Sequence, residues 1–150
     1  MQTLATQTTP AARRSAARGQ IPHSVRTLAE RSSPTEIRVD VQKLLSQGQN
    51  ELAQALGDAA LSLYPENEEI IGICALLGMS RGDWEEAVEL LRQLQGIQKE
   101  ASPATTYWLL ARCLRCTGQE TEAVATLEAG LFAHPTSTEL QTELSILLKR

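Results

Sequence analysis

The sequence predicts an all-α chain: an α-solenoid of about three helix pairs, closed by a C-terminal helix and preceded by a disordered N-terminal tail. Three observations carry this expectation. Apolar residues recur at helical spacing from about residue 33 to the end. Aromatics make up 3% of the chain against 42% hydrophobic residues, so the core must be built from Leu, Ala, Ile and Val, which favours close-packed helices over sheets. Glycines break the pattern at 48, 82 and 118, with spacings of 34 and 36 residues. A fixed period near this length with two helices per unit reads as a solenoid.

The elements follow in chain order. Residues 1–19 show no apolar period and read as disordered. Ile21, Val25 and Leu28 are spaced for a short helix within the tail segment, 1–32. The repeat domain is expected over 33–150. Ser33-Pro34-Thr35-Glu36 opens its first helix, with Ser33 as cap, Pro34 in the first turn and Glu36 reaching back. Ile37, Val41, Leu44 and Leu45 line that helix. Leu52, Leu56, Ala59, Ala60 and Leu63 line the next, which Pro65 ends. Helix 67–80 contains IIGICALLGM and is apolar almost all round, as a helix buried between neighbours would be. Asp83 caps the following helix, with Glu86 at its third position and Val88, Leu91 and Leu94 inside. Ser102-Pro103 reads as the next cap and first turn, before Tyr107, Leu110 and Leu114. Val124, Leu127 and Leu131 mark its partner helix. The last helix is expected from Thr136, with Glu139 completing a capping box and Lys149-Arg150 at its C-terminus.

Each breaking glycine is followed five residues later by an alanine: Ala53, Ala87 and Ala123. Small residues there, with Ala75 and Ala111 on the first helices, allow two helices to approach closely. The segment Gly82-Asp83-Trp84-Glu85-Glu86-Ala87 resembles the turn and second-helix start of the tetratricopeptide repeat family. The third unit resembles it through Tyr107, Leu110, Ala111, Leu114, Gly118, Ala123 and Pro135. The first resembles it through Gly48, Ala53, Ala60 and Pro65. Gly57 and Gly78 depart from the family pattern, where large apolar and aromatic residues are usual. Lys99 stands where a proline is usual, at a junction two residues longer.

The resemblance implies a protein-interaction scaffold or small chaperone with no cofactor and no catalytic activity. It implies a concave groove lined by the first helix of each unit. Carried over, the groove residues are Arg38, Gln42 and Leu45, then Gly72, Leu76 and Met79, then Trp108, Arg112 and Arg115. Thr142, Ile146 and Lys149 extend them on the last helix. Their apolar and positive character implies a protein partner, as an extended or helical segment with apolar and acidic residues. The Lys and Asn that the family uses to clamp chaperone C-terminal carboxylates are not at these positions. Size and repeat number are also similar to the type III secretion chaperones built on these repeats.

Other classes are weighed against this one. Cys113-Leu114-Arg115-Cys116 is a C-x-x-C that would suit thiol redox or metal chemistry, yet it lies inside a helix and lacks a second ligand pair. Residues 1–35 carry five arginines and one acid, and the remainder nine bases and seventeen acids. The basic tail is the feature that would suit nucleic acid or a transit peptide, though a solvated tail is the simpler reading. His23 and His134 have no triad partner by spacing, and no phosphate loop or nucleophile elbow is present. Three cysteines without a framework and no apolar leader or spanning run suggest a cytoplasmic chain without a membrane segment. Leu144, Ile146, Leu147 and Leu148 give the last helix spare apolar surface, which a second copy or the segment 21–28 would cover.

Overall fold

Glycine sets the period of this chain through backbone geometry. Gly48, Gly82 and Gly118 have φ of +75°, +77° and +79°, a left-handed conformation that costs glycine nothing and other residues about 1–2 kcal/mol. Each ends a helix in the same way. The N–H one residue past the glycine donates to a carbonyl five residues back: Gln49 to Leu44 at 2.9 Å, Asp83 to Gly78 at 2.8 Å, and Gln119 to Leu114 at 2.9 Å. This closure satisfies carbonyls that the helix end leaves open.

The computed structural model describes residues 21–149, and the expectations for residues 1–20 and for Arg150 lie outside them. Among the described residues there are eight α-helices, one 3₁₀ turn and no strand, the all-α class of an α-solenoid. The chain divides into two units, Met1–Ile70 and Ile71–Arg150.

In the first unit, α1 (His23–Arg31) and α2 (Pro34–Ser46) both pack on α3 (Asn50–Leu63). Val25 and Ala29 of α1 are buried, whereas Leu28, expected on the same face, is 45% exposed. Ile37 and Val41 of α2 and Ala53, Leu56 and Ala60 of α3 form the interior. Leu52 and Leu63, expected inside, are exposed. The capping box at the start of α2 is complete: Glu36 N–H donates to Ser33 Oγ, and Ser33 N–H to Glu36 Oε2. Asn67 caps α4 (Glu68–Ser80), its Oδ1 accepting from Ile70 N–H.

In the second unit, α4 continues from Ile71, followed by α5 (Trp84–Gln98), α6 (Ala104–Cys116), α7 (Glu120–Ala133) and α8 (Thr138–Leu148). Helix α6 packs on α5, α7 and α8, and α7 on α8. Ala75, Ala87, Ala111 and Ala123 are fully buried, as helices in close approach require. Gly78 is explained by the turn that follows it. A Cβ there would lie 3.3 Å from the carbonyl oxygen of Asp83, so a larger residue would have to push that turn back by a few tenths of an ångström.

Asp83 caps α5 by accepting from Glu86 N–H at 3.2 Å. Burial alone would raise its carboxyl, but the backbone and side chain of Glu86 and the charge of Arg81 hold it below the usual range. A lowered acid contributes its stability above the ordinary carboxylate pKa and loses it as pH falls through the lowered value.

Two starts differ from expectation. Ser102 does not cap α6. It is fully buried, and its hydroxyl turns back to donate to the Lys99 carbonyl at 2.7 Å. The extra residues of this junction are absorbed by a 3₁₀ turn, Lys99–Ala101, in which Lys99 has φ +52°. Helix α8 begins at Thr138, with Ser137 as cap on Leu140 N–H, so Glu139 falls one position early for the capping box. Its side chain accepts from the Ser137 hydroxyl instead.

Candidate partner-docking surface

The groove expected from the sequence draws on both units. In the first, Arg38 and Gln42 are already engaged. Arg38 Nε donates to Glu69 Oε2 at 3.0 Å, and its Nη1 to Gln42 Oε1 at 3.3 Å. Thr35 donates to the other oxygen of Glu69 at 2.9 Å. The Thr35 hydroxyl, then Arg38, hold the Glu69 carboxyl below its ordinary range. Leu45 is half-buried. This cluster fastens α2 to the start of α4, which consumes the polar groups that sequence reasoning reserved for a partner.

The second unit presents a different surface. The residues of α6 divide by helical register: Tyr107, Leu110, Ala111 and Leu114 are buried, while Trp108, Arg112 and Arg115 are half-buried. Trp108 and Arg112 are one turn apart, and the Arg112 Cζ lies 4.8 Å from the centroid of the indole ring. This is a cation–π contact. Arg115 is spoken for. Its Nη1 lies 3.0 Å from Oε1 of Glu143 on α8, a carboxylate that is 7% exposed. The pair is an ion contact without a well-aimed hydrogen bond to that oxygen, and it fixes α8 beside α6. One turn further along α8, Ile146 is 45% exposed and Lys149 is exposed. Leu76 is 38% exposed and Met79 half-buried on α4.

Arg112 stands apart from the other arginines of this unit. Arg81 meets Asp83 and Glu86, Arg92 meets Glu122, and Arg115 meets Glu143. Among the described residues Arg112 has no carboxylate partner. Its guanidinium rests on the indole with hydrogen-bond donors left over.

The C-x-x-C is split by the helix. Cys113 is fully buried and Cys116 is exposed. Burial, then the neighbouring Cys116, push the Cys113 thiol up to about 11, against a smaller opposing effect of Arg112. A raised thiol pKa means that folding favours the protonated form, a contribution complete below the ordinary thiol pKa and lost as pH rises toward 11. At neutral pH one cysteine of the pair is thus unreactive. A thiol reagent near neutral pH should modify Cys116 in the folded protein, and Cys74 and Cys113 only after unfolding. Rapid modification of Cys113 under native conditions, read by peptide mass mapping, would revive the redox reading. Among the described residues no group of three or more His, Cys, Asp and Glu is placed to hold a metal.

His134 has a packing role. Its Nε2 lies 2.7 Å from the Ser102 carbonyl, so that nitrogen carries the proton, and its ring meets Tyr107 edge-on at 6.1 Å. Of the basic tail, Arg13, Arg14 and Arg18 lie outside the described residues, while Arg26 and Arg31 are exposed on α1. No helix among the described residues is long and apolar enough to cross a membrane.

Sequence reasoning missed Glu143 and Glu86, both buried acids. The signal for Glu143 was available: Arg115 lies one turn from Arg112 and needed an anion from a neighbouring helix. No curated protein matches the chain. The family model of the tetratricopeptide repeat matches residues 78–144, the stretch from Gly78 into α8 that carries the Trp108–Arg112 pair. Over residues 78–144 the chain is similar to the tetratricopeptide repeat family.

Proposed function

We propose that the chain is a non-catalytic scaffold or small chaperone that holds a partner protein segment along α6 and α8 of the second unit. The observation that carries this reading is the Arg112 guanidinium, lying on Trp108 without a carboxylate partner among the described residues. An arginine in that state is pre-oriented for an acid from outside, at less entropic cost than a free side chain. The half-buried indole and, on the neighbouring helix α8, the 45% exposed Ile146 offer apolar surface. The partner is an extended or helical segment, with an apolar side chain over Trp108 and a carboxylate to Arg112. A charge-assisted bond of this kind contributes roughly 1.5–3 kcal/mol, and a buried tryptophan is a typical hot spot.

The reading also places the protein in a reducing compartment such as the cytoplasm, consistent with free thiols at Cys74, Cys113 and Cys116. The exposed Ile146 and Leu148 would be covered in the same complex, or by a second copy of the chain.

The test is affinity capture from the source organism, followed by binding measurements on the recovered partner. Trp108→Ala should weaken binding about thirtyfold or more, the loss expected of a hot spot of at least ~2 kcal/mol. Arg112→Glu should weaken it at least as much, and Arg26→Glu on α1 should change little. Full affinity in both second-unit variants would remove this face from the docking surface.

A further inference from the structure

A partly apolar surface lies in the first unit, on the face of α2 next to the groove positions. Helix α2 carries Glu36, Val39, Asp40, Lys43, Leu44 and Gln47 along one stripe, at the three- and four-residue spacing of a single helix face. Two depressions open on it. The first has a volume of about 340 Å³ and lies between α1, α2 and α3. Its apolar walls are Val25, Leu28, Leu44, Leu52 and Leu56. Leu28 and Leu52 are 45% and 42% exposed there, although sequence periodicity expects both inside. The second, of similar volume at about 360 Å³, is formed by Thr35, Glu36, Val39 and Asp40, with Val39 49% exposed. Asp40 lines both.

Exposed leucines around a cavity are costly in water, by roughly 25 cal/mol for each Å² that a partner would cover. The charges indicate what kind of partner. Asp40 has no cation within ion-pair distance among the described residues, whereas Arg38, on the adjacent face of the same helix, is paired to Glu69. Glu36 adds a second acid at the depression around Val39, against Lys43 at the edge of the leucine-lined one. Residues 21–70 as a whole carry four bases and eight acids.

We infer that this stripe docks a basic amphipathic helix of a partner protein, with a leucine-type side chain in the leucine-lined cavity, a second apolar residue over Val39, and an arginine or lysine between them on Asp40. Residues Val39 and Leu44 are about 7.5 Å apart along the helix axis, a span that two apolar residues one to two turns apart on the incoming helix would match. The arginine must lie between them, because Asp40 is the residue common to both depressions. This site selects the opposite charge from Arg112, so the two surfaces would recognise different segments.

The test uses the full chain and a fluorescein-labelled, alanine-based helical peptide of about 18 residues, with Leu on one face and Arg between the leucines. A twin has Glu in place of Arg. Binding is read by anisotropy at low and moderate salt. The wild-type chain should bind the Arg peptide at least tenfold more tightly than its Glu twin. Asp40→Lys should reverse that preference, and Leu52→Asp should abolish binding of both peptides. Arg112→Glu should leave it unchanged, which separates this site from the α6 surface. Equal affinity for the two peptides, or a preference that Asp40→Lys leaves intact, overturns the inference. So does a wild-type chain that binds neither peptide until residues 1–20 are removed, since the stripe would then be occupied by the protein's own basic segment. Concentration-dependent association that Leu52→Asp abolishes would assign the stripe to a second copy, and likewise overturns it.

Discussion

Replacing Gly130 with alanine should destabilise the protein by about 1–3 kcal/mol, although alanine is the better helix former by roughly 1 kcal/mol. Gly130 is in the third turn of α7, where that helix runs against Tyr107. An added Cβ would lie 2.8 Å from Tyr107 Cβ, 2.9 Å from its Cγ and 3.0 Å from Leu140 Cδ1. The first two atoms form the root of the side chain and cannot swing away without moving α6. The strain must therefore separate α6 from α7. Because Tyr107 adjoins Trp108, that separation would also disturb the proposed docking face. Gly72 and Gly96 are the controls. Each is in a helix with nothing within 4 Å of an added Cβ, so alanine there should stabilise by about 0.5–1 kcal/mol. Denaturant midpoints at constant slope measure all three. If Gly130→Ala is as stable as the wild type, α7 does not approach Tyr107 as closely as described.

The Gly130 contact also shows what the sequence could and could not convey. Gly48, Gly82 and Gly118 were readable because their role is local: each ends a helix, and their spacing alone reveals the period. Gly130 has no local signature. It sits within a helical pattern, and its need for space comes from Tyr107, twenty-three residues earlier. The caps divide similarly. Ser33 and Asp83 were legible because the acceptor and the N–H it serves are three residues apart. Ser102 was misread because its hydroxyl and its N–H both donate to the Lys99 carbonyl, closing the 3₁₀ turn that precedes the helix. At the candidate surface, Trp108 and Arg112 were legible as one helix face. The commitments of Arg38 and Arg115 were not, because Glu69 and Glu143 belong to other helices and neither carboxylate looks buried or paired in its own sequence context. Charge bias thus marked α6 as a candidate, and only tertiary pairing separates Arg112 from the arginines that have a carboxylate partner among the described residues.

The same distinction between local and tertiary readings sets the second large expectation, for Arg81→Ala. In sequence, Glu86 is the third residue of a helix N-terminus, where an acid is favoured by the helix dipole and needs no partner. In the structure it is 1% exposed, and its carboxylate accepts from the Arg81 guanidinium. Arg81 also lies 3.5 Å from Asp83, the cap of the same helix. The arginine therefore neutralises an acid that α5 has carried into the core. Removing it leaves that carboxylate buried with less compensation, which costs about 3–5 kcal/mol for a fully enclosed pair. Solvent reaches the Arg81 side chain, 29% exposed against 2% for Glu86, so the expected cost is at the lower end, about 3 kcal/mol. The exposed pair Arg92–Glu122 gives the contrast, with 46% and 50% exposure. Arg92→Ala should cost no more than about 1 kcal/mol. Glu86→Gln in the Arg81→Ala background should recover part of the loss, because a neutral amide is cheaper to bury than a carboxylate that has lost this arginine. A double-mutant cycle isolates that coupling. Equal, small losses for Arg81→Ala and Arg92→Ala, with no coupling to Glu86→Gln, would mean that Glu86 is solvated rather than buried. The start of α5 would then rest on the Asp83 cap alone.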